Sequence, residues 1–285
     1  MTRPFETLAV DAHGLALYAR ERPGTAKTAV VFLHGWLEHG HAFDWLAEHL
    51  PDTWRLLLLD WRGMGRSAWL PRPGNYQLTD YALDVEALLD AAGLEAAHLV
   101  GHSLGGIAAT LYAAARPERV LSLSLIESLG PSGGAPESAL GRLRGFVEDQ
   151  KRPPSQKRYP TVEAAAARLR ESNPDLSEAA ALHLARHGTA PHEGGGVVFT
   201  FDPTHRRRFG LGPDEAQWLA LSSAVTCPVQ LIQGREGMAF DEARAQVRRQ
   251  ALRITKPPVV LPGGHHVHMD EPRAVALTLV DFIGS

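Results

Sequence analysis

The sequence predicts an α/β protein, a mostly parallel sheet wrapped by helices on both faces and interrupted by a helical insertion. Three observations carry this. Short apolar runs alternate with amphipathic stretches in the first half of the chain. The runs are apolar at successive positions, as strands covered on both faces must be. The alternation stops near residue 130 and resumes after residue 213.

The elements follow in order. Ala29–Leu33 (AVVFL) reads as a buried strand, broken by His34-Gly35. Residues 43–49 have helical spacing, and Arg55–Leu59 (RLLLL) is a second strand ending at Asp60. Residues 78–92 form an amphipathic helix, with Thr79 as its N-cap and Gly93 as its stop. Residues 97–100 are a third strand, residues 107–115 a helix ended by Arg116-Pro117, and Val120–Ile126 a fourth strand. A loop, Gly130-Pro131-Ser132-Gly133-Gly134, opens the insertion. Two Ala-rich helices, Val162–Ser172 and residues 177–186, flank Asn173-Pro174. Gly194-Gly195-Gly196 and residues 197–201 suggest a short hairpin edge. Strands resume at residues 229–233 and 258–261, and a last helix spans residues 273–282. The expected division is a core of residues 1–129 and 214–285, with residues 130–213 inserted as a helical cap.

Composition narrows the function. The chain has 285 residues, 44% of them apolar and 21% charged, which is ordinary globular material. A chain of this size buries about three-quarters of its unfolded surface without covalent staples. Lys plus Arg number 29 against 32 Asp plus Glu, so nothing favours nucleic acid as a partner. No apolar run reaches the roughly 18 residues of a membrane span, so no membrane insertion is expected. The single cysteine, Cys227, and the absence of a signal-like start point to a reducing, cytoplasmic compartment. Cys and His do not occur at structural zinc spacings, and no metal or cofactor is expected. The oligomeric state is not readable.

Gly101-His102-Ser103-Leu104-Gly105-Gly106 follows the third strand and opens a helix. It fits the G-x-S-x-G nucleophile elbow in its strand–turn–helix context. Positions two residues either side of Ser103 must be small, because strand and helix approach closely there. The Leu104 N–H at the helix start is placed for a developing oxyanion, and the Trp36 N–H in His34-Gly35-Trp36 is the second donor. A hydroxyl needs a general base. Of 14 histidines, His265 follows the last strand directly after a glycine pair, with His266 and His268 close behind. His34 is expected to organise the oxyanion loop, and His102 to be structural. Two carboxylates qualify as the histidine's partner: Glu127 at the end of the fourth strand, and Glu236 after the strand at residues 229–233. Arg206-Arg207-Arg208 is the densest basic cluster, readable as a salt-bridged face or as an anion anchor.

HGW at 34–36, DWRGMGRS at 60–67, GHSLGG at 101–106, GGHHVHMDEP at 263–272 and KRYPTVEAAAARL at 157–169 together resemble the α/β-hydrolase superfamily, in its serine hydrolase-like branch. The resemblance covers nearly the whole chain. It implies a sheet of about eight strands, a helical cap over the active site and no cofactor. It implies His265 as the catalytic histidine, seven positions before Pro272. Most relatives place an Asp where this chain has Gly237. Some carry the acid after the strand that follows the nucleophile, which favours Glu127 over Glu236. The reading is a serine carboxylesterase acting on a small-molecule ester, with Ser103, His265 and Glu127 as its triad. Phe146, Tyr159 and Phe199 are candidate pocket residues. A carbon–carbon bond hydrolase, a thioesterase and a non-enzymatic ligand receptor are the alternatives.

Overall fold

The computed structural model describes residues 3–132, 136–211 and 214–284. The expectations at Gly133, Gly134 and residue 213 lie outside the described residues.

The chain opens with an antiparallel hairpin, β1 (Glu6–Ala12) and β2 (Leu15–Arg22). Then come β3 (Ala29–Leu33), α1 (Asp44–Ala47), β4 (Arg55–Asp60), α2 (Asp80–Ala91), β5 (Ala97–His102), α3 (Leu104–Ala115) and β6 (Val120–Ile126). The insertion carries α4 (Ala139–Gln150), β7 (Arg158–Tyr159), α5 (Val162–Ser172), α6 (Glu178–Gly188), β8 (Thr189–Pro191) and β9 (Val197–Phe199). The core resumes with α7 (Glu215–Ser223), β10 (Val229–Gly234), α8 (Glu242–Ala251), β11 (Val259–Leu261), α9 (Val267–Asp270) and α10 (Pro272–Gly284).

Eight strands form the main sheet in the order β1-β2-β4-β3-β5-β6-β10-β11. The first two joints are antiparallel and the rest parallel. The hairpin is an addition to the sequence reading. Its strands are half polar and sit at an edge, so they lack the continuous apolar signal of the central strands.

Alternation along the central strands builds two cores. Val31, Leu33, Leu57, Leu59 and Leu99 face one layer, which contains α2 and α3 residues such as Leu88 and Tyr112. Val30, Phe32, Leu56, Leu58 and Val100 face the other, against Leu46, Val275 and Leu279 of α1 and α10. Each side chain of these runs is thus buried on one face or the other, which is why the runs read as uniformly apolar. α2 ends as its sequence demands, with Gly93 at φ 63° and Leu94 N–H donating to Leu89 O at 2.9 Å. Thr79 holds the N-cap position, but its backbone is helical and its side chain accepts no capping bond. Asp80, in the first turn, ties down the incoming chain, its Oδ2 accepting from Gln77 N–H at 2.9 Å.

The insertion leaves the sheet after β6 and returns before α7. β7, β9 and β8 make a small antiparallel sheet, and α5 and α6 begin at Thr161 and Ser177, whose hydroxyls accept from Ala164 and Ala180 N–H at 3.2 Å. It docks on the core through buried polar contacts. Asp202 N–H donates to Gly63 O at 2.7 Å, and Tyr76 Oη donates to Asp202 at 2.9 Å. Among the described residues no helix is long and apolar enough to cross a membrane.

Candidate active site

The parallel strands end on one edge of the sheet, and five of their loops meet there. β3 delivers His34–Glu38, β5 delivers Ser103, β6 delivers Glu127, β10 delivers residues 235–238, and β11 delivers Gly263–His268.

Ser103 has φ 50° and ψ −113°, a conformation that costs an L-residue roughly 1–3 kcal/mol. The surroundings enforce it. Its N–H donates to Ile126 O at 3.0 Å, and its carbonyl accepts from Gly106 N–H at 3.0 Å and Ser128 Oγ at 2.7 Å. A Cβ on Gly101 would lie 2.5 Å from Gly105 C, and one on Gly105 would lie 1.9 Å from Leu33 O. Both glycines are therefore packing requirements of the elbow. Leu104 opens α3, so its N–H has no acceptor within the helix.

His265 Nδ1 lies 3.3 Å from Glu127 Oε2. Glu127 is also at positive φ, 50°, which turns its side chain back toward the sheet edge. Its carboxylate is buried and held at both oxygens. Oε1 accepts from Gly234 N–H at 2.7 Å, and Oε2 accepts from Met238 N–H at 2.6 Å. Gly237 makes room for it: a Cβ there would sit 2.3 Å from Glu127 Oε1. Glu236, the other candidate, is exposed and points elsewhere, accepting from Gly263 N–H at 3.0 Å. Of the two carboxylates the structure brings Glu127 to the histidine.

The His34–Glu38 loop is fixed from beneath. His34 Nε2 accepts from Trp61 N–H at 3.1 Å, which leaves Nδ1 to donate to Gly35 O at 2.8 Å. His34 is fully buried, and burial lowers its proton affinity, so it stays a neutral brace. Trp36 is half exposed and lines the same cavity as Ser103.

Two cavities meet at Ser103, Trp36 and Arg206. One, about 440 Å³, lies toward His265 and is walled by Leu169, Leu176, Leu184 and Phe199. The other, about 430 Å³, lies toward Leu104 and is walled by Ile107, Tyr81, Phe146 and Phe209. Phe199 and Phe146 thus line opposite lobes. Tyr159 lines neither. It packs edge-on against Phe199 at 5.4 Å inside the insertion, because the β7–β9 pairing turns it inward. Of the three arginines, Arg208 grips Asp149 with two bonds at 2.8 and 2.9 Å, and Arg207 donates to Gln150 at 2.8 Å. Both fasten the end of α4. Arg206 lies over the Phe201 ring, 4.9 Å from its centre, in the wall of both lobes.

Sequence reasoning singled out His102 and His268 without finding their surroundings. His102 Nε2 donates to His265 O at 2.9 Å, and Nδ1 lies 3.2 Å from Glu38 Oε2. Glu38 also accepts from Gly35 N–H at 3.0 Å and faces His266 Nε2 at 3.1 Å. It was missed because no motif marks it. The only available signal is an acid four residues after a loop histidine.

The comparisons agree with this architecture. A family model described as the alpha/beta hydrolase fold matches residues 28–272. A serine hydrolase-like protein of Danio rerio is 29% identical over 264 residues, covering 89% of this chain and 81% of that protein. An esterase of Mycobacterium tuberculosis is 28% identical over 267 residues, covering 89% of this chain and 82% of its own. The crystal structure of a hypothetical protein from Pseudomonas aeruginosa superposes with a TM-score of 0.86 at 31% identity, covering 98% of this chain and all of that one. The chain belongs to the alpha/beta hydrolase fold family, in its serine hydrolase-like branch.

Proposed function

We propose that the protein is a serine carboxylesterase that works through an acyl-enzyme on Ser103. The observation that carries this reading is the pairing of His265 with buried Glu127, 3.3 Å apart, beside a strained serine in one cavity. Glu127 fixes the tautomer with the proton on Nδ1, which leaves Nε2 as the base for the Ser103 hydroxyl. The serine oxygen attacks the ester carbonyl. The N–H groups of Leu104 and Trp36 receive the oxyanion, a service worth about 10²–10³ in rate per donor. His265 then hands its proton to the leaving alcohol, and water repeats the cycle.

This chemistry assigns the lobes. The leaving alcohol must lie near the histidine that protonates it, so it occupies the lobe of Leu169, Leu184 and Phe199. The acyl chain takes the lobe of Ile107, Tyr81 and Phe146. Residues 130–213 then act as a cap, with α5 and α6 closing the alcohol side and α4 the acyl side. We place the enzyme in a reducing compartment, on the strength of its one cysteine.

The test is hydrolysis of p-nitrophenyl esters from acetate to dodecanoate by the wild type and Ser103→Ala. Loss of turnover in the variant, with a burst of p-nitrophenol in the wild type, is expected. Equal rates in both would remove Ser103 as nucleophile. Saturable binding without turnover would favour a receptor.

A further inference from the structure

Behind His265 lies a polar cluster that the esterase chemistry does not use. His268 is fully buried, and neither of its ring nitrogens has a hydrogen-bond partner among the described residues. Leaving such a group buried and unpaired is destabilising. One nitrogen of a neutral imidazole carries a bare lone pair. His102 presents a second. Its Nε2 donates to a carbonyl, so the neutral ring turns the Nδ1 lone pair toward Glu38 Oε2, 3.2 Å away. The carboxylate supplies the third. A proton on His102 Nδ1 resolves that one pair and leaves His268 with both nitrogens unmatched. A cation among the three takes up one lone pair from each and leaves only the remaining N–H of His268 unpaired.

We propose that Glu38, His102 and His268 form a binding site for a divalent d-block ion, with Zn²⁺ as its natural chemistry. Their ligand atoms all lie within 4.8 Å of one another. Metal bonds of ~2.0–2.1 Å to Nδ1 and Oε2 across the observed 3.2 Å subtend roughly 100°, close to tetrahedral. Two imidazoles and one carboxylate suit Zn²⁺, Co²⁺ or Ni²⁺ and disfavour Ca²⁺ and Mg²⁺, which take oxygen ligands. Outer partners are in place. His266 Nε2 faces Glu38 Oε1 at 3.1 Å, and Gly35 N–H donates to Oε2 at 3.0 Å. Entry is from the Ser103 cavity, whose wall includes Glu38 and His266. The sequence hides the site because its ligands come from three separate elements, the loop after β3, the end of β5 and α9.

The ion would tie together the loop of Trp36, the strand end that carries Ser103, and the segment that carries His265. It acts as a positioning element for the reaction proposed above, yet its binding does not depend on that reaction.

A second histidine cluster must be separated from it. His41, Asp44 and His187 also lie within 4.8 Å, near the surface. That group is a poorer site, since Arg20 already pairs with Asp44 at 2.5 Å and the His41 and His187 rings are stacked.

The test is Co²⁺ titration of chelator-stripped protein, read by d–d absorption and by Tm. The expected result is one equivalent bound, with the intense visible bands of a four-coordinate ion and a Tm that rises with Co²⁺. His268→Phe, which keeps a ring beside Phe43, should lose the bands. Without metal it should melt no lower than the stripped wild type, because it removes two unmatched nitrogens. Glu38→Gln should lose the bands as well, and His187→Asn should keep them. Absence of binding by the wild type would overturn the proposal, leaving an ordered water as the partner of His268. So would bands that persist in His268→Phe or vanish in His187→Asn.

Discussion

Glu127→Gln separates the two candidate acids and tests the tautomer argument together. The carboxylate accepts two backbone N–H groups, Gly234 at 2.7 Å and Met238 at 2.6 Å, and Oε2 also faces His265 Nδ1 at 3.3 Å. Glutamine keeps the volume but offers one oxygen and one NH₂. Whichever way the amide turns, its NH₂ confronts a backbone donor. One unmatched buried donor costs about 1–3 kcal/mol, which a domain of ordinary stability survives. If the NH₂ takes the Oε2 position, it also forces His265 to accept at Nδ1 and so to carry its proton on the wrong nitrogen. The corresponding loss in serine enzymes is about 10⁴ in kcat, or roughly 5 kcal/mol of barrier. The assay is kcat/KM on a p-nitrophenyl ester beside a thermal melt. Glu127→Gln should stay folded and lose about 10⁴ in rate. Glu236→Gln, which loses one exposed contact at 3.0 Å, should stay within about twofold of the wild type. The opposite pattern would refute the assignment. Gly237→Ala should behave like a partial Glu127 defect, because its Cβ would press on the carboxylate at 2.3 Å.

Further expectations follow from single contacts. Gly105→Ala places a Cβ 1.9 Å from Leu33 O, so the chain should lose about 3 kcal/mol or fail to accumulate, read by melts and soluble yield. Phe146→Ala should lengthen the preferred acyl chain in a p-nitrophenyl series, whereas Phe199→Ala should alter preference among alcohols with the acyl group fixed. Arg206→Ala should raise KM for esters bearing a carboxylate more than for neutral ones of the same size. Burial lowers the His205 imidazole to about 4, from 6.5 in the unfolded chain. Between those values the unfolded state holds more protons, so this contribution is intact above about 6.5 and fades as pH falls toward 4. The full loss is on the order of 3 kcal/mol. His205→Gln should flatten the acid limb of urea-unfolding stability, and an unchanged slope would contradict the assignment.

The parts of the fold legible in the sequence are those where local chemistry and tertiary role coincide. Ala29–Leu33 and Val120–Ile126 were bounded correctly to the residue because both faces of each strand are buried and polar turns flank them. Val162–Ser172 was legible because Thr161 caps it and Asn173-Pro174 stops it. The hairpin β1–β2 was not, since an edge strand needs only one apolar face. α4 was not, because its anchor is remote: Asp149 and Gln150 are held by Arg208 and Arg207, far along the chain. That pairing also explains most of the basic cluster, whose density is a fastening at two positions and a pocket wall at the third.

Glu127 shows how a departure from a family pattern becomes legible once space is considered. In the sequence, a missing Asp at 237 and a spare Glu at 127 are two unrelated oddities. In the structure they are one substitution, because the volume a side chain on residue 237 would occupy holds the Glu127 carboxylate. Gly237 has no positive φ to require glycine, so its smallness answers a need for room and not for backbone freedom. The acid can therefore be moved back. Glu127→Ser with Gly237→Asp should recover about tenfold or more of the activity that Glu127→Ser loses, while Gly237→Asp alone crowds two carboxylates into one buried space and fails. Recovery in the double variant demands that both positions serve the same imidazole. If the double variant is no better than the sum of its parts, residue 237 cannot reach His265, and the two oddities are independent after all.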